Sequence, residues 1–412
     1  MDGAHSQMDR VKVRSSDPRL EPFRPKILLY SHDTFGLGNI HRTLLLSDAL
    51  RRAFPGAAVL IITGSPVIHA LRIPDAIDYL KLPSLDRVAA DRYEPRFLST
   101  LATEVKRMRR AIIRRAALGF DPDLMIVDKR PLGVDGELAG TLSALRRLPH
   151  PVRIVLGVRD ILDEPARTRR MFGRTHAFAT MEHYYDEVWI YGAREVFDAL
   201  HEYAFPEAVA RKSVFSGYLS RPTAQAVPNG RAPRVLVTTG GGGDGSDIVD
   251  AYLEGLLGLP RRLALHTTIV FGPEMPERRR QATLARFGHI PDVAFFDFEP
   301  DLVRRYAEAD VVVSMAGYST VSELLSWGRR AVLVPRAVPV REQLIRARRF
   351  AELGYFDIVE PEQLEPGLLI GKVLAALERE PTPSLAVDLN GLPRIVERVQ
   401  AMLGEMNGRR TL

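Results

Sequence analysis

The residues best suited to chemistry in this chain are three glycine turns and a small set of acids and histidines beside them. The most informative stretch is VVVSMAGYSTVSELLSWG, 311–328. A β-branched run of strand type breaks at Ala316-Gly317 and continues as a helical pattern through Trp327. A helix that opens on a glycine at a strand end offers unpaired backbone N–H groups and the positive end of its dipole, and phosphate is the usual occupant. Ser314, Ala316, Gly317, Tyr318 and Ser319 form this candidate turn. Glu323, the one acid in the helix, lies three residues beyond Thr320 and shares its face. A pyrophosphate at Gly317 would leave a ribose within reach of Glu323.

A second turn, Gly240-Gly241-Gly242-Gly243, ends the run RVLVTT. Four consecutive glycines cost backbone entropy that a plain turn does not require, but they let a ligand approach the main chain. No Lys-Ser/Thr follows them, so a phosphate loop of the NTPase kind is excluded. The third turn is SHDTFGLGNIHR, 31–42, with Gly36 and Gly38. His41 occupies the third position of the dinucleotide fingerprint, and the second strand ends without an acid, so NAD is not expected there. His32, Asp33, Asn39 and His41 nevertheless fall within ten residues of one another. Asp128 ends LMIVD and Asp160 follows RIVLGVR, each serving either as a cleft acid or as a helix cap. In PVREQLIRA, Glu342 and Gln343 occupy the first turn of a further helix, where carboxylate and amide suit sugar hydroxyls.

These residues need a scaffold that gathers strand ends. From Lys26 onward, short apolar runs alternate with longer helical patterns, the mark of parallel sheets covered by helices. Strands are expected at 26–31, 58–63, 77–82, 124–128, 153–157, 187–190 and 213–215, with a basic helix over 95–118. Residues 220–233 are small, polar and proline-rich and read as a linker. The pattern restarts at Arg234, with strands at 267–271, 293–296, 311–314 and 331–335 and helices over 248–257, 339–353, 361–377 and 392–403. The expectation is α/β: a leader at 1–24 without regular structure, a Rossmann-like domain at 25–219, the linker, and a second Rossmann-like domain at 234–412. In that arrangement the last helix is free to pack back on the first domain, and ligands bind between the two at strand carboxyl ends.

With 412 residues, 46% of them hydrophobic, the chain can fill two domain cores. It contains no cysteine, which excludes disulfides, thiolate metal sites and cysteine nucleophiles. No apolar run reaches the ~20 residues of a membrane span, and a cytoplasmic location is expected. The net charge of +6 is uneven. Lys106, Arg107, Arg109, Arg110, Arg114 and Arg115 crowd one helix, with Leu101, Val105, Met108 and Ile112 spaced on its other side. This is either a solvated face or a patch for an anionic membrane surface or a phosphorylated acceptor. No nucleic-acid motif or aromatic interleaving is present.

Taken together, Gly240–Gly243, Gly317, Thr320, Val321, Glu323 and Glu342-Gln343 resemble the donor half of GT-B-fold glycosyltransferases. Within that fold they are similar to the family 28 group, which includes the peptidoglycan N-acetylglucosaminyltransferase that forms lipid II. The resemblance implies that Gly317 and the backbone after it hold pyrophosphate, Glu323 the ribose and Gln343 the sugar. It implies that the turn at Phe298 reads uracil and that Gly36, Gly38 and Asn39 shape the acceptor side. It further implies a nucleotide-sugar donor, a small-molecule or lipid-linked acceptor, inverting hexosyl transfer, and no cofactor or required divalent metal. The chain departs from the family at Asn39, where a histidine base is usual, and at Glu342 and Arg346, where glutamine and asparagine are usual. His41, His32, Asp128 and Asp160 are then the candidate bases. A UDP-sugar epimerase of the same shape, or a sugar-nucleotide-binding protein without catalysis, stands as the alternative.

Overall fold

A computed structural model describes residues 24–32, 37–89, 92–221, 232–260, 265–299, 302–379 and 387–410. Gly36, Asp33 and most of the expected linker lie outside them, as does nearly all of the leader. The first half runs β1 (Lys26–Ser31), α1 (Gly38–Ala53), β2 (Ala58–Thr63), β3 (Ile77–Lys81), β4 (Leu85–Ala89), β5 (Arg92–Pro95), α2 (Ala102–Phe120) and β6 (Leu124–Asp128). It continues with α3 (Ala139–Leu145), β7 (Arg153–Arg159), α4 (Pro165–Arg174), α5 (Ala177–Tyr184), β8 (Glu187–Tyr191), α6 (Ala199–Glu202), α7 (Glu207–Ala210) and β9 (Ser213–Phe215). The second half runs β10 (Arg234–Thr238), α8 (Ser246–Leu257), β11 (His266–Val270), α9 (Glu277–Phe287), β12 (Val293–Phe296), α10 (Leu302–Glu308) and β13 (Val311–Ser314). It ends with α11 (Tyr318–Ser326), β14 (Arg330–Leu333), α12 (Glu342–Glu352), β15 (Asp357–Ile358), α13 (Pro366–Glu378) and α14 (Gly391–Arg410).

Two parallel sheets result, in the orders β3-β2-β1-β6-β7-β8-β9 and β12-β11-β10-β13-β14-β15. Their central strands are apolar through the middle, with polar residues only at the ends, because helices cover both faces. All five residues of β6 and all four of β13 are buried. In the first sheet the order reverses between β1 and β6, where Tyr30 pairs with Val127. In the second it reverses between β10 and β13, where Thr238 pairs with Ser314. A crevice opens at each reversal, because the connections leave toward opposite faces. The glycine turns flank these crevices: Gly38 follows β1, Gly240 follows β10 and Gly317 follows β13.

The basic helix differs from its sequence reading. It begins at Ala102 rather than near residue 95, because β5 is consumed in an antiparallel hairpin with β4. Its buried stripe is Val105, Arg109, Ile113 and Ala117, whereas Leu101 and Met108 are exposed. Arg109 can replace a hydrophobe in that stripe because Glu137 takes its Nε and Nη2 at 2.7 and 2.6 Å inside the core. Helix α14 packs on the first sheet's side, where Arg398 pairs with Glu187 and Arg153 reaches Glu405 at 2.6 Å. One apolar cluster runs from β1 and α1 through α14 to Tyr318 and Val321 of α11.

Candidate functional site

Helices α1 and α11 bring their N-termini together across the interdomain cleft. Neither first residue is capped by a side chain, and Ser319 Oγ lies 3.4 Å from the Gly38 carbonyl. The first-turn N–H groups of both helices lack intrahelical partners, so the cleft has two positive helix ends at one point. Gly317 is half-buried and extended (φ −63°, ψ 148°), and a Cβ there would meet only Thr320 Oγ1 at 3.7 Å, so neither backbone conformation nor packing within the protein requires a glycine at this turn. Ser314 and Ala316 behind it are buried, and Ser314 Oγ donates to the Met315 carbonyl. Thr320 and Glu323 follow on α11. Glu323 Oε2 has no hydrogen-bond partner, and burial raises the carboxyl's pKa against the opposing pull of Arg221.

The Gly240–Gly243 loop stands beside this turn. A Cβ on Gly242 would fall 2.3 Å from the Phe271 carbonyl, and its φ is +90°. Close packing on Phe271-Gly272, reinforced by Glu274 N–H donating to Gly241 O at 2.7 Å, therefore accounts for part of the glycine run. Gly240 and Gly243 remain exposed. Phe298 is partly exposed after β12, and the Pro300-Asp301 continuation of its turn lies outside the described residues.

Glu342 and Gln343 do not present free side chains to the cleft. Glu342 is 2% exposed and is held by Arg346 at 2.8 Å, Arg159 at 3.2 Å and Arg336 at 3.6 Å. Burial would raise its pKa, but these arginines, Arg159 foremost, hold it down at about 2. Gln343 Oε1 accepts from the Arg336 N–H at 3.3 Å. The sequence makes Glu342 a candidate sugar contact because it stands in the first turn of a helix that follows a strand end. The cations that reach it come from residues 159, 336 and 346, and only the tertiary fold brings them together.

The four candidate bases differ sharply. Asp160 is 1% exposed, and its carboxylate accepts from Arg346 Nε and Nη2, Tyr218 OH and Ile161 N–H. The structure thus corrects its reading as a base: it is an interdomain anchor with no oxygen left for an acceptor hydroxyl. Asp128 binds Arg42 through Oδ1 at 2.6 Å, while its buried Oδ2 has no partner. Arg42 also donates to Asn39 Oδ1 at 3.0 Å, and Asn39 Nδ2 donates to the His32 carbonyl. Asn39 is thereby locked at the position where the family carries histidine. His32 is 1% exposed with Nδ1 unpartnered, and burial followed by Lys129 and Arg130 pushes its pKa well down. His41 alone of the four is open to solvent, although protein crowds it. That crowding, then Arg221, lowers its pKa to about 4.

Several cleft residues escaped the sequence reading. Arg42 lies on the buried face of α1, and its spacing of three from Asn39 was the one available signal. Lys129 follows Asp128 with a left-handed backbone (φ 73°), and burial, then Arg159 and Arg130, depress its ammonium well below its ordinary value. Tyr218 stacks on Tyr318 at 5.7 Å, and Leu219 N–H donates to Tyr318 OH at 3.1 Å.

Two Rossmann-like domains meeting in this way define the GT-B fold of glycosyltransferases. Residues 235–398 match the glycosyltransferase family 28 C-terminal domain, so the second half of the chain is a domain of that kind on this fold. Curated relatives include the UDP-N-acetylglucosamine–N-acetylmuramyl-(pentapeptide) pyrophosphoryl-undecaprenol N-acetylglucosamine transferases of Pasteurella multocida (strain Pm70) and Syntrophotalea carbinolica (strain DSM 2380 / NBRC 103641 / GraBd1). The first is 27% identical over 217 residues, covering 52% of this chain and 59% of the relative. The second is 33% identical over 155 residues, covering 37% and 42%. The chain therefore spans about half the length of the curated relatives it matches. Among solved structures, the calicheamicin glycosyltransferase CalG4 is similar with TM-score 0.59 and 18% identity over 92% of this chain and 98% of the other. Acinetobacter baumannii MurG gives 0.56 and 16% over 92% and 99%. The UDP-GlcNAc 2-epimerase of Methanocaldococcus jannaschii gives 0.58 and 10% over 92% and 99%. At these identities the likeness concerns the fold.

Proposed function

We propose that this protein transfers a hexosyl group from a nucleotide-diphospho-sugar, a UDP-sugar, to an acceptor hydroxyl with inversion. The observation that carries the reading is the α11 N-terminus opening on the cleft at the β10/β13 crevice, with the unpartnered Glu323 Oε2 on the same helix. The matched family-28 domain and the N-acetylglucosamine transferases among its relatives support it. In the transfer, the acceptor oxygen attacks the anomeric carbon, the bond from that carbon to the β-phosphate oxygen breaks, and UDP leaves. The N–H groups after Gly317 and that of the exposed Gly243 stabilise the charge that develops on the diphosphate. His41, exposed in the first turn of α1 and neutral above its low pKa, takes the acceptor proton.

We read the acceptor as lipid-linked, met at an anionic membrane surface. No helix among the described residues is long and apolar enough to cross a membrane. The tip between β5 and α2 exposes Phe97, Leu98 and Leu101, with Val88 and Met108 nearby and Arg107, Arg110, Arg114 and Arg115 on the helix face. Exposed apolar groups beside cations suit interfacial binding. Arg96 reaches Glu274 of the second domain at 3.4 Å, so this tip borders the cleft.

The test is UDP release from UDP-sugars with and without lipid-linked and soluble acceptors. Acceptor-dependent release supports the reading. UDP binding without release from any donor refutes it, and an altered donor sugar formed without acceptor favours an epimerase. Co-sedimentation with phosphatidylglycerol vesicles should be lost in Phe97→Asp/Leu101→Asp. Retained binding would refute the membrane assignment.

A further inference from the structure

The residue at 346 does more than fill the family's asparagine position. All five N–H donors of the Arg346 guanidinium have acceptors, at zero exposure. Nε and Nη2 grip the two oxygens of Asp160 at 2.9 and 2.7 Å, and Nη2 also lies 3.4 Å from the Ile161 carbonyl. Nη1 donates to Glu342 Oε2 at 2.8 Å and to the Ala316 carbonyl at 2.9 Å. Asp160 belongs to the first domain's sheet end, and Ala316 is the residue before Gly317 in the second domain. One side chain thus joins the β7 end to the turn that opens α11.

The geometry of the turn gives this joint a consequence. In a trans peptide the carbonyl and the following N–H point in opposite directions. Holding the Ala316 carbonyl toward Arg346 therefore fixes the Gly317 N–H on the opposite side. Tyr318, the next residue, is also tied to the first half, through its stack on Tyr218 and the bond from Leu219 N–H. Tyr218 in turn donates to Asp160 Oδ2 at 2.8 Å. Asp160, Tyr218, Tyr318 and Arg346 close a ring of contacts around the turn.

We propose that Arg346 is a positioning residue through which the first domain, by way of Asp160, sets the orientation of the diphosphate-binding turn of the second. This rests on the nucleotide-sugar reading for the identity of the ligand, but not for the coupling itself. The donor site is complete only when the domains are docked, and loss of either partner should give the same defect.

The test is a cycle of Asp160→Asn, Arg346→Met and the double variant in the full chain, with UDP affinity read by calorimetry and folding by far-UV circular dichroism. Each single change should weaken UDP binding by about fivefold or more, and the double by no more than the worse single. Wild-type affinity in a folded Asp160→Asn would overturn the proposal, and so would losses that multiply in the double. If Asp160→Asn does not fold, Tyr218→Phe removes one bond to the same carboxylate. A smaller weakening in the same direction supports the coupling, and unchanged affinity overturns it. If the wild-type chain does not bind UDP, the nucleotide reading falls alone. Small-angle scattering then decides the coupling: a wider interatomic distance distribution in the variants supports it, and an unchanged one overturns it.

Discussion

Replacing Glu323 with alanine probes the centre of the proposed donor site. Glu323 lies six residues beyond Gly317, so at ~1.5 Å per residue it stands about 9 Å along the α11 axis from the turn. That is the span between a diphosphate and the ribose hydroxyls of the same nucleotide. Its Oε2 is buried without a partner, so a ribose hydroxyl donating to it displaces no existing bond. A hydrogen bond to a charged acceptor contributes about 1.5–3 kcal/mol, which corresponds to roughly a ten- to hundredfold loss of UDP affinity on truncation. The assay is calorimetric titration of wild-type and Glu323→Ala protein with UDP and with its 2′,3′-dideoxy analogue. Wild-type protein should prefer UDP by that factor, and the variant should hardly distinguish the two. A variant that keeps the full preference would refute the ribose assignment, even if its overall affinity fell. The pH dependence has a definite sign. Burial raises the Glu323 pKa in the free protein, whereas hydroxyl donors favour the carboxylate. Binding therefore releases a proton, and affinity weakens as pH falls into the raised titration range.

Turnover should fall as pH drops through about 4, where His41 becomes protonated, and His41→Ala should lower kcat by roughly 10²- to 10⁴-fold while UDP affinity holds. A pH–rate profile without that acid limb in wild type, or an unchanged kcat, would remove His41 as the base. Glu342 titrates at about 2 in the fold against an ordinary 4.5, so its stabilisation is present above about 4.5 and lost as pH falls from there to about 2. The loss is about 3 kcal/mol, and Glu342→Gln should flatten acid unfolding over that window in denaturant titrations. Arg109→Met leaves the Glu137 charge buried without its main partner, at a cost of about 3–5 kcal/mol and a melting point lower by on the order of 10 °C. UDP affinity below that transition should be unchanged, since the pair lies outside the proposed donor site.

The architecture was legible in the sequence because parallel strands buried on both faces must be written as apolar β-branched runs. The runs at 26–31, 58–63, 124–128, 293–296 and 311–314 are strands with those bounds. The hairpin of β4 and β5 was not legible, since Leu85–Ala89 and Arg92–Pro95 carry charges and form an isolated two-stranded pair. The turn at Gly317 and the helix after it were readable because a strand, a glycine and a helix are consecutive in the chain.

What the sequence could not decide was which polar residues are spent on one another. Asp128 and Asp160 both end strands and looked alike. The fold sets Arg42 on one oxygen of Asp128 and leaves the other unpartnered, and it saturates Asp160 with Arg346, 186 positions away. Glu342 looked like a free first-turn acid until Arg159, Arg336 and Arg346 converged on it. Local pattern encodes backbone conformation and burial, which depend on neighbours a few residues apart. Ion pairing depends on where residues distant in the chain meet, within a domain for Arg42 and Asp128 and between domains for Arg346 and Asp160, and only the tertiary fold decides that.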